Sequence, residues 1–219
     1  MKQRFFIVSS PLKFLMIMNI LRIYPSSINE RHIDQAVELL RQGGVIIYPT
    51  DTLYAIGCDA LSNAAIRRVC DIKGIDARKE SLSVVCADLS QASEYAKIDN
   101  AAYRFIKDYV PGPFTFILPV SPRLPKEFKG RREVGIRIPD NPIPRAIAEA
   151  LGNPVLSTSI TWDPEFPLEG SDAESIALSY AGRADLMING GSGALEGSTI
   201  VDLTDSRSPE IIRQGLGQL

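Results

Sequence analysis

Hydroxyl side chains gather at three places where an apolar run begins or ends. Tyr48-Pro49-Thr50-Asp51-Thr52-Leu53-Tyr54 follows Val45-Ile46-Ile47, Ser157-Thr158-Ser159 follows Val155-Leu156, and Ser198-Thr199 opens onto Ile200-Val201. Serine and threonine hydroxyls beside backbone N–H groups make neutral, directional contacts to phosphate or carboxylate oxygens, above all where glycine lets the backbone come close. Proline fixes φ and carries no N–H, so a strand must stop at Pro49 and leave Thr50 and Thr52 on a bend at its tip. In open α/β sheets ligands sit at such tips. Strand propensity and self-capping turns account for any one cluster; three clusters together point to a shared ligand.

Cations form a second group. Lys73 ends a helical pattern near Arg78 and Lys79, Arg137 lies in Val134-Gly135-Ile136-Arg137-Ile138-Pro139, and Arg213 precedes Gln214-Gly215. An isolated arginine is usually solvated or weakly paired at a surface. Arg137 stands apart because period-two alternation sends it to the face opposite its flanking isoleucines.

The elements that must position these groups follow from periodicity. Ile33, Ala36, Val37 and Leu40 keep helical spacing up to the stop at Gly43-Gly44, and Ile66, Val69 and Cys70 do so behind a cap at Ser62 or Asn63. Residues 101–109, 143–151 and 172–182 also read as helices. Strands are expected over 20–24, 45–48, 82–86, 114–118, 134–138, from Val155, over 186–188, over 198–203 as a last central strand, and at 211–213. The alternation of strands and helices describes an α/β fold in one domain over residues 18–219, with no repeat or linker dividing it. Residues 1–17 superficially resemble a signal peptide, yet Ser9, Ser10 and Lys13 interrupt the apolar stretch and no small-residue cleavage site follows. They read as an N-terminal extension or a start assigned upstream of Met18, and are expected to pack poorly.

Composition sets limits on function. Of 219 residues, 45% are hydrophobic and 23% charged, which fits a globular domain rather than a disordered or membrane-spanning chain. A net charge of -2 supplies no global basic field, so an anionic partner must be met by a local patch. Cys58, Cys70 and Cys86 form no C-x-x-C pair and His32 is the single histidine, so no metal site is expected and the spaced thiols fit the cytoplasm.

In order along the chain, Pro49-Thr50-Asp51-Thr52-x-Tyr54, Lys73, Pro111-Gly112-Pro113-x-Thr115, Gly135-x-Arg137-x-Pro139, Ser157-Thr158-Ser159, Ser198-Thr199-x-Val201 and Arg213-x-Gly215 resemble the YrdC/YciO superfamily, over nearly everything after Met18. The resemblance implies a twisted open mixed sheet flanked by helices, with a deep cationic cleft. It also implies synthesis of L-threonylcarbamoyladenylate from L-threonine, bicarbonate and ATP, with Mg²⁺, for the threonylcarbamoyl modification of tRNA. By the same resemblance Thr50, Thr52, Arg137, Ser198 and Thr199 serve the amino acid, with Arg137 a bidentate partner for its carboxylate. Lys73, Thr115, Ser157, Ser159 and Arg213 line the nucleotide.

Two positions depart from the catalytic pattern. The arginine of Lys-x-Arg is Ile75 here, so Lys73 is left to act with Arg78, and Ser-x-Asn becomes Ser157-Thr158-Ser159. Both changes resemble the YciO branch. Restoring arginine at Ile75 is expected to raise any synthase rate, and Arg137→Ala is expected to remove small-molecule binding while leaving the fold nearly intact. An alternative reading is a non-catalytic module for double-stranded RNA, tRNA or ribosome maturation, using Arg123, Lys126, Lys129, Arg131 and Arg132, with Arg131 and Arg132 as the RNA contacts. A monomer or homodimer, with no membrane partner, is expected in either case.

Overall fold

The computed structural model describes residues 18–76, 82–125, 128, 132–161 and 170–219. The expectations for residues 1–17, Arg78 and Arg131 therefore lie outside the described residues.

Ten strands form one mixed sheet. They are β1 (Asn19–Arg22), β2 (Ile46–Tyr48), β3 (Ala55–Asp59), β4 (Ser83–Val85), β5 (Phe114–Pro119), β6 (Glu133–Arg137), β7 (Val155–Ser159), β8 (Leu186–Asn189), β9 (Thr199–Asp202) and β10 (Glu210–Arg213). Their order across the sheet is β1-β8-β2-β3-β7-β4-β6-β5-β9-β10. β9 thus lies next to the edge rather than at the centre, and β10 closes the sheet beside it.

The helices are α1 (Glu30–Arg41), α2 (Asn63–Lys73), α3 (Leu89–Tyr95), α4 (Asn100–Ile106), α5 (Pro142–Leu151) and α6 (Ala173–Tyr180). Local chemistry sets their ends. Asn29 caps α1 by accepting from Arg31 N, Ser62 caps α2 by accepting from Ala65 N, and Asn141 caps α5 by accepting from Ile143 N with Pro142 in the first turn. Short α3, capped by Asp88, has no counterpart in the sequence reading.

Nor has β3, because Gly57 and Asp59 break its apolar pattern. β3 pairs antiparallel with β2 and β7, and a Cβ at Gly57 would run into the Leu156 carbonyl of β7 and the Tyr48 ring of β2. Glycine is demanded there by the approach of neighbouring chains, not by a turn.

The two faces are covered unequally. Ile47, Ile56, Val84, Phe116, Ile136, Leu156 and Val201 point to one face and join a large apolar cluster with residues of α2, α3, α4 and α6. On the other face, Ile46, Tyr48, Ala55, Val85 and Val155 pack under α1 and α5. Among the described residues this second cluster contains nothing from β5, β6, β9 or β10. Beyond the edge of α5 the second face carries no described apolar cluster, and there period two delivers polar side chains instead of apolar ones.

Candidate active site

The register across this polar half of the sheet aligns the hydroxyl-bearing positions. Ser83 of β4 stands opposite Ser157 of β7 and Gly135 of β6, Ser157 stands opposite Gly57 and Ser159 opposite Ala55 of β3, and Thr115 of β5 stands opposite Ile200 of β9. Paired residues share a face, so Ser83, Gly135, Arg137, Thr115, Ser157, Ser159 and Ile200 all look the same way. All of these but Gly135 line a cavity of about 130 Å³ together with Thr158, Ser198 and Arg213. Separate strand ends thus converge on one place.

Arg137 is the buried cation of this wall. Its Nη2 donates to Asp51 Oδ1 and to Thr52 Oγ1, each at 2.9 Å, while the Asp140 amide donates to the other Asp51 oxygen at 2.9 Å. Both members of the Arg137–Asp51 pair are more than nine-tenths buried. Burial pulls the guanidinium below its ordinary range, and the charge of Asp51 opposes that shift. Arg137 Nε is buried without a hydrogen-bond partner, so toward described residues the fork works through Nη2 alone.

The bend at Pro49 is a locked turn. Thr50 Oγ1 donates to Leu53 O at 2.7 Å and accepts from Thr52 N at 3.0 Å, and the Thr50 and Thr52 hydroxyls meet at 3.0 Å. Asn141 at the start of α5 donates to Thr50 O at 3.3 Å. Thr50 and Thr52 lie outside the cavity lining; the Thr52 hydroxyl holds the arginine, and the Thr50 hydroxyl holds Thr52.

Lys73, in the last turn of α2, donates from Nζ to Ser159 O at 2.6 Å, and its half-burial lowers its pKa. Arg213 on β10 donates from Nη2 to Ser198 O at 2.9 Å. Thr115 Oγ1 and Ser198 Oγ share a hydrogen bond of 2.7 Å. Tyr48, fully buried on the same face beside Ser157, has a hydroxyl without hydrogen-bond geometry to any described group, and burial pushes its pKa up.

Thr199 departs from its expected place beside the amino acid. Its hydroxyl is fully buried, donates to Gly217 O at 2.7 Å, and accepts from Gly215 N at 2.9 Å. Strand alternation turns it to the face opposite Ile200, where it tethers the C-terminal segment. Ile75 packs partly buried against the large apolar cluster, so an arginine there would first have to leave that contact. Of the basic run, Arg123 pairs with Glu94 and Arg132 is exposed outside the cavity lining. Lys126, Lys129 and Arg131 lie outside the described residues. Sequence reading missed Ser83, whose only signal is its alternation with Leu82 and Val84, and it assigned no partner to Asp51.

The family described as "Telomere recombination", Sua5/YciO/YrdC, matches residues 38–215. The chain belongs to this family. It is 40% identical over 199 residues to the uncharacterized protein YciO of Escherichia coli K12, covering 90% of this chain and 95% of that one. The crystal structure of E. coli YciO superposes with a TM-score of 0.83 over 92% of this chain and 97% of that one, at 39% identity. A threonylcarbamoyl-AMP synthase of Xanthomonas axonopodis pv. citri is 34% identical over 185 residues, or 83% of this chain and 96% of the relative. Sua5 of P. abyssi complexed with L-threonine matches at 29% identity and a TM-score of 0.79, over 90% of this chain and 57% of that chain. The α/β mixed sheet expected from the sequence is the fold these relatives share. No described helix is long and apolar enough to cross a membrane.

Proposed function

We propose that this protein forms L-threonylcarbamoyladenylate and pyrophosphate from L-threonine, bicarbonate and ATP, in support of tRNA modification. One observation carries the reading: a cavity walled by serine and threonine hydroxyls and by two arginines, one of them buried, in a chain similar to threonylcarbamoyl-AMP synthases. In this reading threonine and bicarbonate combine to a carbamate with loss of water. A carbamate oxygen then attacks the α-phosphorus of ATP, and the bond to pyrophosphate breaks. Such a transfer needs in-line placement and charge neutralisation more than a covalent nucleophile, and a wall of hydroxyls and cations supplies both.

Arg137 takes the amino-acid carboxylate, oriented by Asp51 and Thr52. Lys73, Arg213, Thr115, Ser157 and Ser159 take the nucleotide, and Ser198 lies between the two through its bond to Thr115. Among the described residues the cavity lining contains no carboxylate, and Mg²⁺ is read as part of the substrate, arriving on the triphosphate. The test is incubation with ATP, bicarbonate and L-threonine, followed by mass detection of the adenylate and measurement of pyrophosphate. Product that depends on all three substrates supports the reading; its absence at stoichiometric enzyme overturns it. The RNA-binding alternative has no comparable geometry behind it, because its described cations are a surface pair and an exposed strand-end arginine.

A further inference from the structure

Between two of the cavity's lining residues, Ser83 and Thr115, the sheet contains a notch. Gly135 occupies the middle of a cross-strand row, and a Cβ built there would lie 2.5 Å from Ser83 Oγ and 3.1 Å from the Thr115 methyl. Any side chain at this position would displace the Ser83 hydroxyl or fill the space it faces. Ser83 also stands directly opposite Ser157 in the antiparallel β4–β7 ladder. Opposed residues place their Cβ atoms about 4.5–5.5 Å apart, a gap that one oxyanion can bridge with two of its oxygens. Among the described residues Ser83 Oγ has no hydrogen-bond partner, although it lines the cavity. Its neighbour Thr115, by contrast, is already bonded to Ser198. Leu82 and Val84 on either side are buried in the large apolar cluster, so the strand would be at least as well served by an apolar residue at 83.

We propose that Ser83 and Ser157, with Gly135 as the gap between β4 and β5, form a seat for one ligand oxyanion, and that Ser83 is a ligand-contacting residue of this site. The seat takes a phosphoryl or carboxylate oxygen through two neutral hydroxyl donors, while Arg137 and Arg213 at the cavity wall supply the charge. This rests on the synthase reading for the identity of the ligands but not for the existence of the seat.

The test is calorimetric titration of the wild-type protein and Ser83→Ala with pyrophosphate, AMP, L-threonine and bicarbonate, alongside thermal melts. Loss of one hydrogen bond to a charged group corresponds to about 10- to 100-fold in affinity. Such a fall for pyrophosphate and AMP, with L-threonine unchanged, establishes a phosphoryl seat. The same fall for L-threonine or bicarbonate, with the phosphate ligands unchanged, establishes a carboxylate seat. Unchanged affinities throughout, or an equal fall for every ligand with a lowered melting temperature, overturn the proposal. Wild-type binding of pyrophosphate without adenylate formation would sink the synthase reading and leave the seat standing. No binding of any of these oxyanions would sink the seat itself.

Discussion

Arg137 shows how one side chain is both structural and available to a ligand. Buried with Asp51 and bonded to Thr52, it closes the turn that ends β2, so its removal strands a carboxylate that is only 8% exposed. Breaking a buried ion pair by removing one partner costs about 3–5 kcal/mol. The expectation that Arg137→Ala would leave the fold nearly intact therefore gives way to a different one. Arg137→Ala should lower the unfolding free energy by that amount, and the double variant Arg137→Ala/Asp51→Ala should recover part of it, as urea unfolding would reveal. A double variant no more stable than the single one would show that Asp51 does not depend on the arginine. Lys73 makes a prediction in pH. Burial lowers its pKa, so the ammonium is lost at a lower pH than an ordinary lysine's. Any share it has in ATP affinity should decline, as pH rises, before the usual lysine range is reached, and Lys73→Arg should flatten that decline because guanidinium stays charged. Titrations of the two proteins across alkaline pH decide it, and parallel curves would exclude Lys73 from the nucleotide site.

At the scale of elements, legibility followed the strength of the period. Helices α1, α2 and α5 carry apolar residues at helical spacing together with cap residues; α2 and α5 begin within a residue of expectation, and α1 stops just before the expected Gly43-Gly44. β3 was illegible because its glycine answers to β7, a strand about a hundred residues further along the chain, and no local pattern records that approach. The same limit held in the site. Ser157 and Ser159 announced themselves through a hydroxyl run at the end of an apolar strand, whereas Ser83 became a cavity residue only through register with Ser157 and Gly135. Thr199 misled because a hydroxyl in a strand says nothing of which face it takes. Gly57→Ala puts β3 to the test. With a backbone carbonyl in the way, the neighbouring strand must shift, and overpacking of this kind costs about 1–3 kcal/mol. In a chain of this size that should lower the melting temperature by several degrees at about 2–4 °C per kcal/mol. A melt indistinguishable from wild type would mean that β3 and β7 do not approach as closely as described.

For the molecule as a whole, the question is how the C-terminal edge is kept over the cavity. β10 is exposed and joins the sheet only through β9, yet it carries Arg213, one of the cations at the cavity wall. Few apolar contacts hold it: Ile211 and Ile212 are about half exposed, with relative exposures of 49% and 57%. What fixes it is polar. The Thr199 hydroxyl holds Gly215 N and Gly217 O, Leu216 N bonds to Gly197 O at 3.0 Å, and Arg213 itself bonds to Ser198 O. Thr199→Val keeps the shape and strand propensity but leaves the buried Gly215 amide without its partner, at about 1–3 kcal/mol, and leaves Gly217 O to Gln214 Nε2 alone. Two effects should therefore appear together. The protein should melt several degrees lower, and affinity for ATP or pyrophosphate should fall because Arg213 is no longer held at the wall, while L-threonine, assigned to Arg137 on β6, should bind as before. Differential scanning calorimetry and parallel ligand titrations separate these outcomes. A lower melting temperature with unchanged phosphate affinity would show that Arg213 does not serve the ligand and that the segment after β9 is purely structural.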